Sequence, residues 1–140
     1  MREFREAVES HDTDAMERLL ADDVQFTSPV AFKPYEGRHI TAAILRAVLR
    51  VMGADFRYVR TFASEDGRDH ALEFTTMVNG KALDGCDFLH LNEDGKIDDF
   101  MVMVRPLSAA QALAEAMGAE FERITEEAMD AAQADRARRG

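Results

Sequence analysis

Side chains able to hold a metal or act as nucleophiles are few in this sequence and poorly grouped. The four histidines, His11, His39, His70 and His90, fall at a helix junction, a helix start, a strand start and an outward strand face. No spacing among them suits a metal site, and they read as surface or interface residues. The lone cysteine, Cys86, excludes an internal disulfide and a cysteine-rich metal site. No histidine accompanies it in the local pattern, so it reads as a small packed residue rather than a nucleophile. The acid pairs Glu93-Asp94 and Asp98-Asp99 match turn and strand-edge solvation. Neither a metal nor a cofactor is expected. The remaining chemistry is proton transfer by a carboxyl group whose surroundings shift its pKa.

A chain of 140 residues fits one domain and is long enough to bury a real core. Its formal net charge of −10 argues against a nucleic-acid partner, because phosphate binding needs a basic surface. The acidic excess favours solubility and mildly repels anionic membranes and substrates. The opening residues, Met1 to Glu6, carry acids and lack the apolar run of a signal peptide. No stretch approaches membrane-spanning length. These features, with nothing that needs an oxidising compartment, lead us to expect a cytoplasmic protein without membrane contact.

The elements that could position a carboxyl follow from periodicity. Phe4, Ala7 and Val8 sit at helical spacing. Asp12 or Thr13 can cap a second short helix carrying Ala15, Met16, Leu19 and Leu20. Residues 24–28 alternate like a strand that Pro29 stops, and 30–37 read as a loop. Helical period returns over 38–52 through Ile40, Ala43, Ile44, Ala47, Val48 and Val51, with Gly53 as the stop. Strands are then predicted over 56–62, 71–78, 81–91 and 97–105, joined by tight turns that include the strong hairpin signal Asn79-Gly80. Ser108 with Gln111 forms a capping box for a long last helix carrying Leu107, Ala110, Ala114, Met117, Phe121, Ile124, Ala128 and Ala131. Short helices followed by a meander indicate an α+β fold with a mostly antiparallel sheet.

Three stretches then carry a family resemblance. They are Leu20-Ala21-Asp22-Asp23-Val24 running on to Ser28-Pro29-Val30, then Tyr35-Glu36-Gly37-Arg38, and finally Gly85-Cys86-Asp87-Phe88 through Gly95-Lys96-Ile97 to Val104. Together they resemble the SnoaL-like branch of the nuclear transport factor 2-like superfamily. The resemblance covers residues 4–105 and leaves the last helix, about 107–138, as an extension of a single domain. It implies a cone-shaped curved sheet with the N-terminal helices over a central pocket. This superfamily includes isomerases, cyclases, epoxide hydrolases, dehydratases and non-catalytic binders, so the fold alone does not name an activity. Ketosteroid isomerase, a relative, uses a carboxylate base at the end of the first strand, with a first-helix tyrosine and a neutral aspartic acid in the penultimate strand. Mapped by spacing, the aspartic acid falls on Asp87, the base position on Ser28 and the tyrosine position on Phe4. Only one of the three groups is retained. The acid that epoxide hydrolases carry in the last strand falls on Val102. Neither of those chemistries transfers intact.

The same template sets which residues line the pocket. Strand alternation places Leu72, Phe74, Thr76, Phe100, Val102 and Val104 inward with Asp87. Phe26 and Ser28 complete that surface, and Phe4, Val8 and Ile44 close it from the helices. Phe32 and Tyr35, on a loop stiffened by Pro29 and Pro34, are candidates for the rim, with Phe32 alternatively plugging the core. Asp87 among such groups should resist ionisation and could donate a proton or a hydrogen bond; the structural alternative is that it caps backbone amides or pairs with an arginine at the pocket edge. The expected ligand is a small, neutral, mostly apolar molecule. It is handled by an acid–base enzyme with Asp87 as donor, or held by a non-catalytic carrier; a dimer scaffold with a filled pocket is the third reading. The outward residues Phe88, Met101 and Met103 are also apolar, so either the last helix or a second copy should cover that face. A homodimer is expected.

Overall fold

A computed structural model describes residues 1–52 and 54–139 of the chain. The expected helix stop at Gly53 lies outside the described residues. Helix α1 (Arg2–Glu9) buries Phe4, Ala7 and Val8. Asp12 caps α2 (Thr13–Arg18) by accepting the Ala15 amide at 3.0 Å. That helix ends before Leu19 and Leu20, contrary to the periodicity. The Ile97 amide donates to the Leu19 carbonyl, and Leu20 pairs with Ile97, so the chain has already joined the sheet. Strand β1 therefore runs over Leu20–Thr27. The segment expected to be all loop contains a two-residue strand, β2 (Tyr35–Glu36), paired with Gln25 and Phe26.

Helix α3 (Arg38–Met52) occupies the expected span. It is followed by β3 (Arg57–Ala63), β4 (Asp69–Val78), β5 (Lys81–Leu91) and β6 (Ile97–Arg105). Asn79 and Gly80 turn the β4–β5 hairpin with φ of 48° and 78°, the pair of positive values that a type I′ turn requires. The six strands form one curved sheet in the order β2-β1-β6-β5-β4-β3. Only the β1–β6 pairing is parallel. Helices and a mostly antiparallel sheet share one hydrophobic core, as the α+β reading requires.

Helix α4 (Leu107–Arg139) begins one residue before Ser108. Pro106 is the residue whose carbonyl accepts the first helical bond, from the Ala110 amide. Ser108 thus sits inside the first turn, where it cannot serve as the cap of the expected box. Of the expected stripe Ile124 is buried, whereas Leu107 and Phe121 are exposed and Ala109 and Leu113, outside it, are buried instead. The helix lies along α3, tied by Arg50 to Glu120 at 2.6 Å and Glu127 at 3.5 Å, and by His39 to Asp135 at 3.4 Å. It therefore closes the concave side of the sheet. On the convex side Phe62, Met77, Phe88 and Met103 remain exposed.

Candidate functional site

Strand alternation on β5 buries Leu83, Gly85, Asp87 and Leu89 on the concave side. Asp87 is 6% exposed and, among the described residues, is one of three buried polar residues, with Thr41 and Thr76. Burial pushes its carboxyl up to about 7, partly offset by a hydrogen bond from Tyr58. Tyr58 Oη donates to Asp87 Oδ2 at 2.7 Å. Burial, followed by the neighbouring Asp87 charge, holds the phenol well above its ordinary range, so Tyr58 stays a donor. Among the described residues, no side-chain hydrogen bond engages Oδ1 of Asp87. A group with one oxygen held and a midpoint near neutrality can both give and take a proton.

These two residues face a small internal cavity of about 50 Å³. Of the expected lining, Phe4, Val8, Phe26, Ser28, Ile44, Phe74, Phe100 and Val102 border it together with Asp87. Edge-to-face contacts fix part of that wall, with Phe100 against Phe4 at 5.4 Å and against Phe26 at 5.3 Å. The other expected residues are placed elsewhere. Leu72 is buried in the core but does not border the cavity. Thr76 is also inward, but its hydroxyl donates to the Met52 carbonyl at 2.7 Å and serves the end of α3. Val104, near the end of β6, packs half-buried at the core's edge. Tyr35 lies on the β2 edge strand and borders a separate surface groove. Phe32 is 99% exposed, so it neither lines the cavity nor plugs the core.

Several lining residues escaped the sequence reading: Tyr58, Phe56, Met16, Leu113 and Met117. Period-two alternation places Phe56 and Tyr58 on one side of their strand, which was a usable signal for the tyrosine. A register shift between Tyr58 and Arg60 leaves Tyr58 the only buried residue of β3. Leu113 and Met117 had no such signal, because nothing local says on which side of the sheet α4 will pack.

The other chemistry-bearing residues lie outside this cavity. Burial and the adjacent Asp87 push the Cys86 thiol up, which keeps it protonated. His90 pairs with Asp69 at 2.7 Å on the convex face, and that bond raises its pKa. Among the described residues no three His, Cys, Asp or Glu side chains are grouped to hold a metal. Nor is any helix among the described residues long and apolar enough to cross a membrane.

No curated protein matches the chain significantly. Solved structures do. A steroid delta-isomerase from Pseudomonas aeruginosa is 42% identical, with 89% of this chain and 90% of that one covered at a TM-score of 0.83. An uncharacterised protein with a cystatin-like fold from Silicibacter pomeroyi is 36% identical, with 90% and 92% covered at 0.79. A SnoaL-like protein of unknown function from Burkholderia thailandensis shares the fold at 21% identity, with 75% and 91% covered at 0.63. The family model of the SnoaL-like domain matches residues 1–100, and the chain belongs to that family, within the nuclear transport factor 2-like superfamily.

Proposed function

We propose that the chain binds a small, neutral, mostly apolar molecule in the internal cavity and acts on it by acid–base chemistry, with Asp87 donating a proton to a ligand oxygen. The observation that carries this reading is a single carboxyl in an apolar wall, fixed through one oxygen by Tyr58 and titrating near neutrality. Neutral ligands are favoured because an anion would meet Asp87 whenever it is ionised, and a cation would find no other carboxylate in the lining. The kinship with a protein described as a steroid delta-isomerase supports an isomerase-type reaction over cyclase or hydrolase types. With no second base among the described lining residues, Asp87 would donate to the carbonyl oxygen while water takes the proton from the adjacent carbon and returns one to the γ carbon.

A non-catalytic carrier is the second reading, and Ser28 favours it. That residue holds the position where the isomerase template needs a base, and its Oγ instead accepts the Val30 amide at 3.1 Å. Incubation with a β,γ-unsaturated cyclic ketone separates the two. Conversion to the conjugated isomer that Asp87→Leu abolishes supports the enzyme, whereas saturable binding with unchanged ketone recovered supports the carrier. Absence of binding to any neutral carbonyl compound would remove both and leave the dimer scaffold.

We also propose that two copies pair through the convex sheet face. Phe62, Met77, Phe88 and Met103 stay exposed there because α4 packs on the opposite side. Phe62, Ala71, Phe88 and Met101 form a continuous apolar row across four strands there, the kind of exposed patch that marks an interaction surface.

A further inference from the structure

The internal cavity is too small for the kind of molecule its walls suit. At about 50 Å³ it falls well short of the roughly 150 Å³ that an apolar cavity needs to admit benzene. A carbonyl group and its nearest carbons fill it. The rest of any larger ligand must lie elsewhere.

A second apolar space of about 180 Å³ adjoins it. Ser28, Val30, Ile44 and Met117 border both spaces. On the outer side the groove is completed by Tyr35, Ala114, Gly118 and Phe121. The larger clefts around His39, His90 and Arg5 share no wall with the cavity. The partition between the two spaces contains an adaptable side chain. Met117 is half-buried and unbranched, the side-chain type that repacks at least cost. Gly118 beside it leaves open space, since a Cβ built there meets nothing within 4 Å.

We infer that the cavity and the groove are two chambers of one binding site, joined past Met117, and that the ligand is elongated, with a carbonyl-type oxygen at Asp87 and an apolar tail lying in the groove under α4. This inference rests on the ligand-binding reading above and specifies its ligand class. Helix α4 begins at Leu107, beyond the residues 1–100 matched by the family model. Half of the residues lining the tail chamber therefore come from a segment outside the matched domain.

A series of straight-chain methyl ketones, from 2-butanone to 2-dodecanone, tests this by calorimetry on the intact chain. Affinity should rise about fourfold for each methylene added once the inner chamber is full, because each buries in the groove. Gly118→Phe should fill the groove and erase that increment while leaving the shortest ketones bound as in wild type. Gly118→Ala, which favours the helix without filling the groove, should keep the increment. Thermal melts of both variants verify that they fold. Affinity that stops rising at the shortest ketones, or an increment that survives Gly118→Phe, overturns the two-chamber site and leaves the binding reading intact. Failure of every ketone to bind overturns both.

Discussion

The ring of Phe74 lies so close over Gly85 that a Cβ at Gly85 would come within 2.3 Å of Phe74 Cζ. The two residues are direct partners across β4 and β5. The missing side chain leaves room for the ring, which stacks on Phe56 at 4.7 Å and borders the cavity beside Asp87. Glycine is required here by contact, since Gly85 is not among the residues with positive φ. Gly85→Ala should cost roughly 1–3 kcal/mol through overpacking. Denaturant melts check this, and a loss below about 0.5 kcal/mol would mean that the ring moves aside freely.

Asp87 should leave a mark on stability against pH. Its folded pKa of about 7 lies above the ordinary value of 3.8. Between those values the folded chain keeps a proton that the unfolded chain has lost. Stability contributed by Asp87 therefore falls as pH rises from about 4 to about 7, then levels off, with a total loss of order 4 kcal/mol. His90, raised by its bond to Asp69, also loses stabilisation as pH rises, but it lies on the convex face and is untouched by Asp87→Asn. Urea melts from pH 4 to 8 should show a shallower decline in Asp87→Asn than in wild type. Parallel curves would assign the decline to other groups.

Tyr58→Phe should move the Asp87 midpoint further up. The Tyr58 hydroxyl donates to the carboxyl and favours its charged form, so its removal leaves burial unopposed. Carboxyl carbon shifts followed by NMR report the midpoint directly. A midpoint unchanged or lowered in the variant contradicts the hydrogen bond. Above the new midpoint the variant should also lose about 1–3 kcal/mol, the cost of a buried acceptor without its donor.

Pairing through the convex face predicts a dimer mass by light scattering at micromolar concentration. Met103 is 53% exposed in the single chain, so Met103→Glu should leave the fold of each copy intact. In the dimer it would bury an unpaired charge, and the mass should fall to that of a monomer. A wild-type monomer at this concentration, or a Met103→Glu dimer, would exclude this interface.

Much of the fold was legible because its signals are local. The helical spacing of residues 38–52, the Asn79-Gly80 turn and the period-two strands each depend on neighbours within a few residues, and each appears where expected. Strand alternation also put Asp87, Phe74, Phe100 and Val102 on one side once the template had set the face. Leu19 and Leu20 went the other way, because their pairing with β6 depends on a segment about eighty residues on and overrode helical spacing. The partner of Asp87 was decided in the same way: Tyr58 reaches it from β3 across the intervening strand β4, a contact set by sheet order. The side on which α4 packs was also settled only by tertiary structure. Its apolar stripe is weak, and the polar contacts from Arg50 and His39 that hold it along α3 join residues about seventy or more positions apart. Periodicity determines which residues share a face. What that face meets is fixed by long-range packing, and here that packing closed the cavity and left the opposite side of the sheet bare.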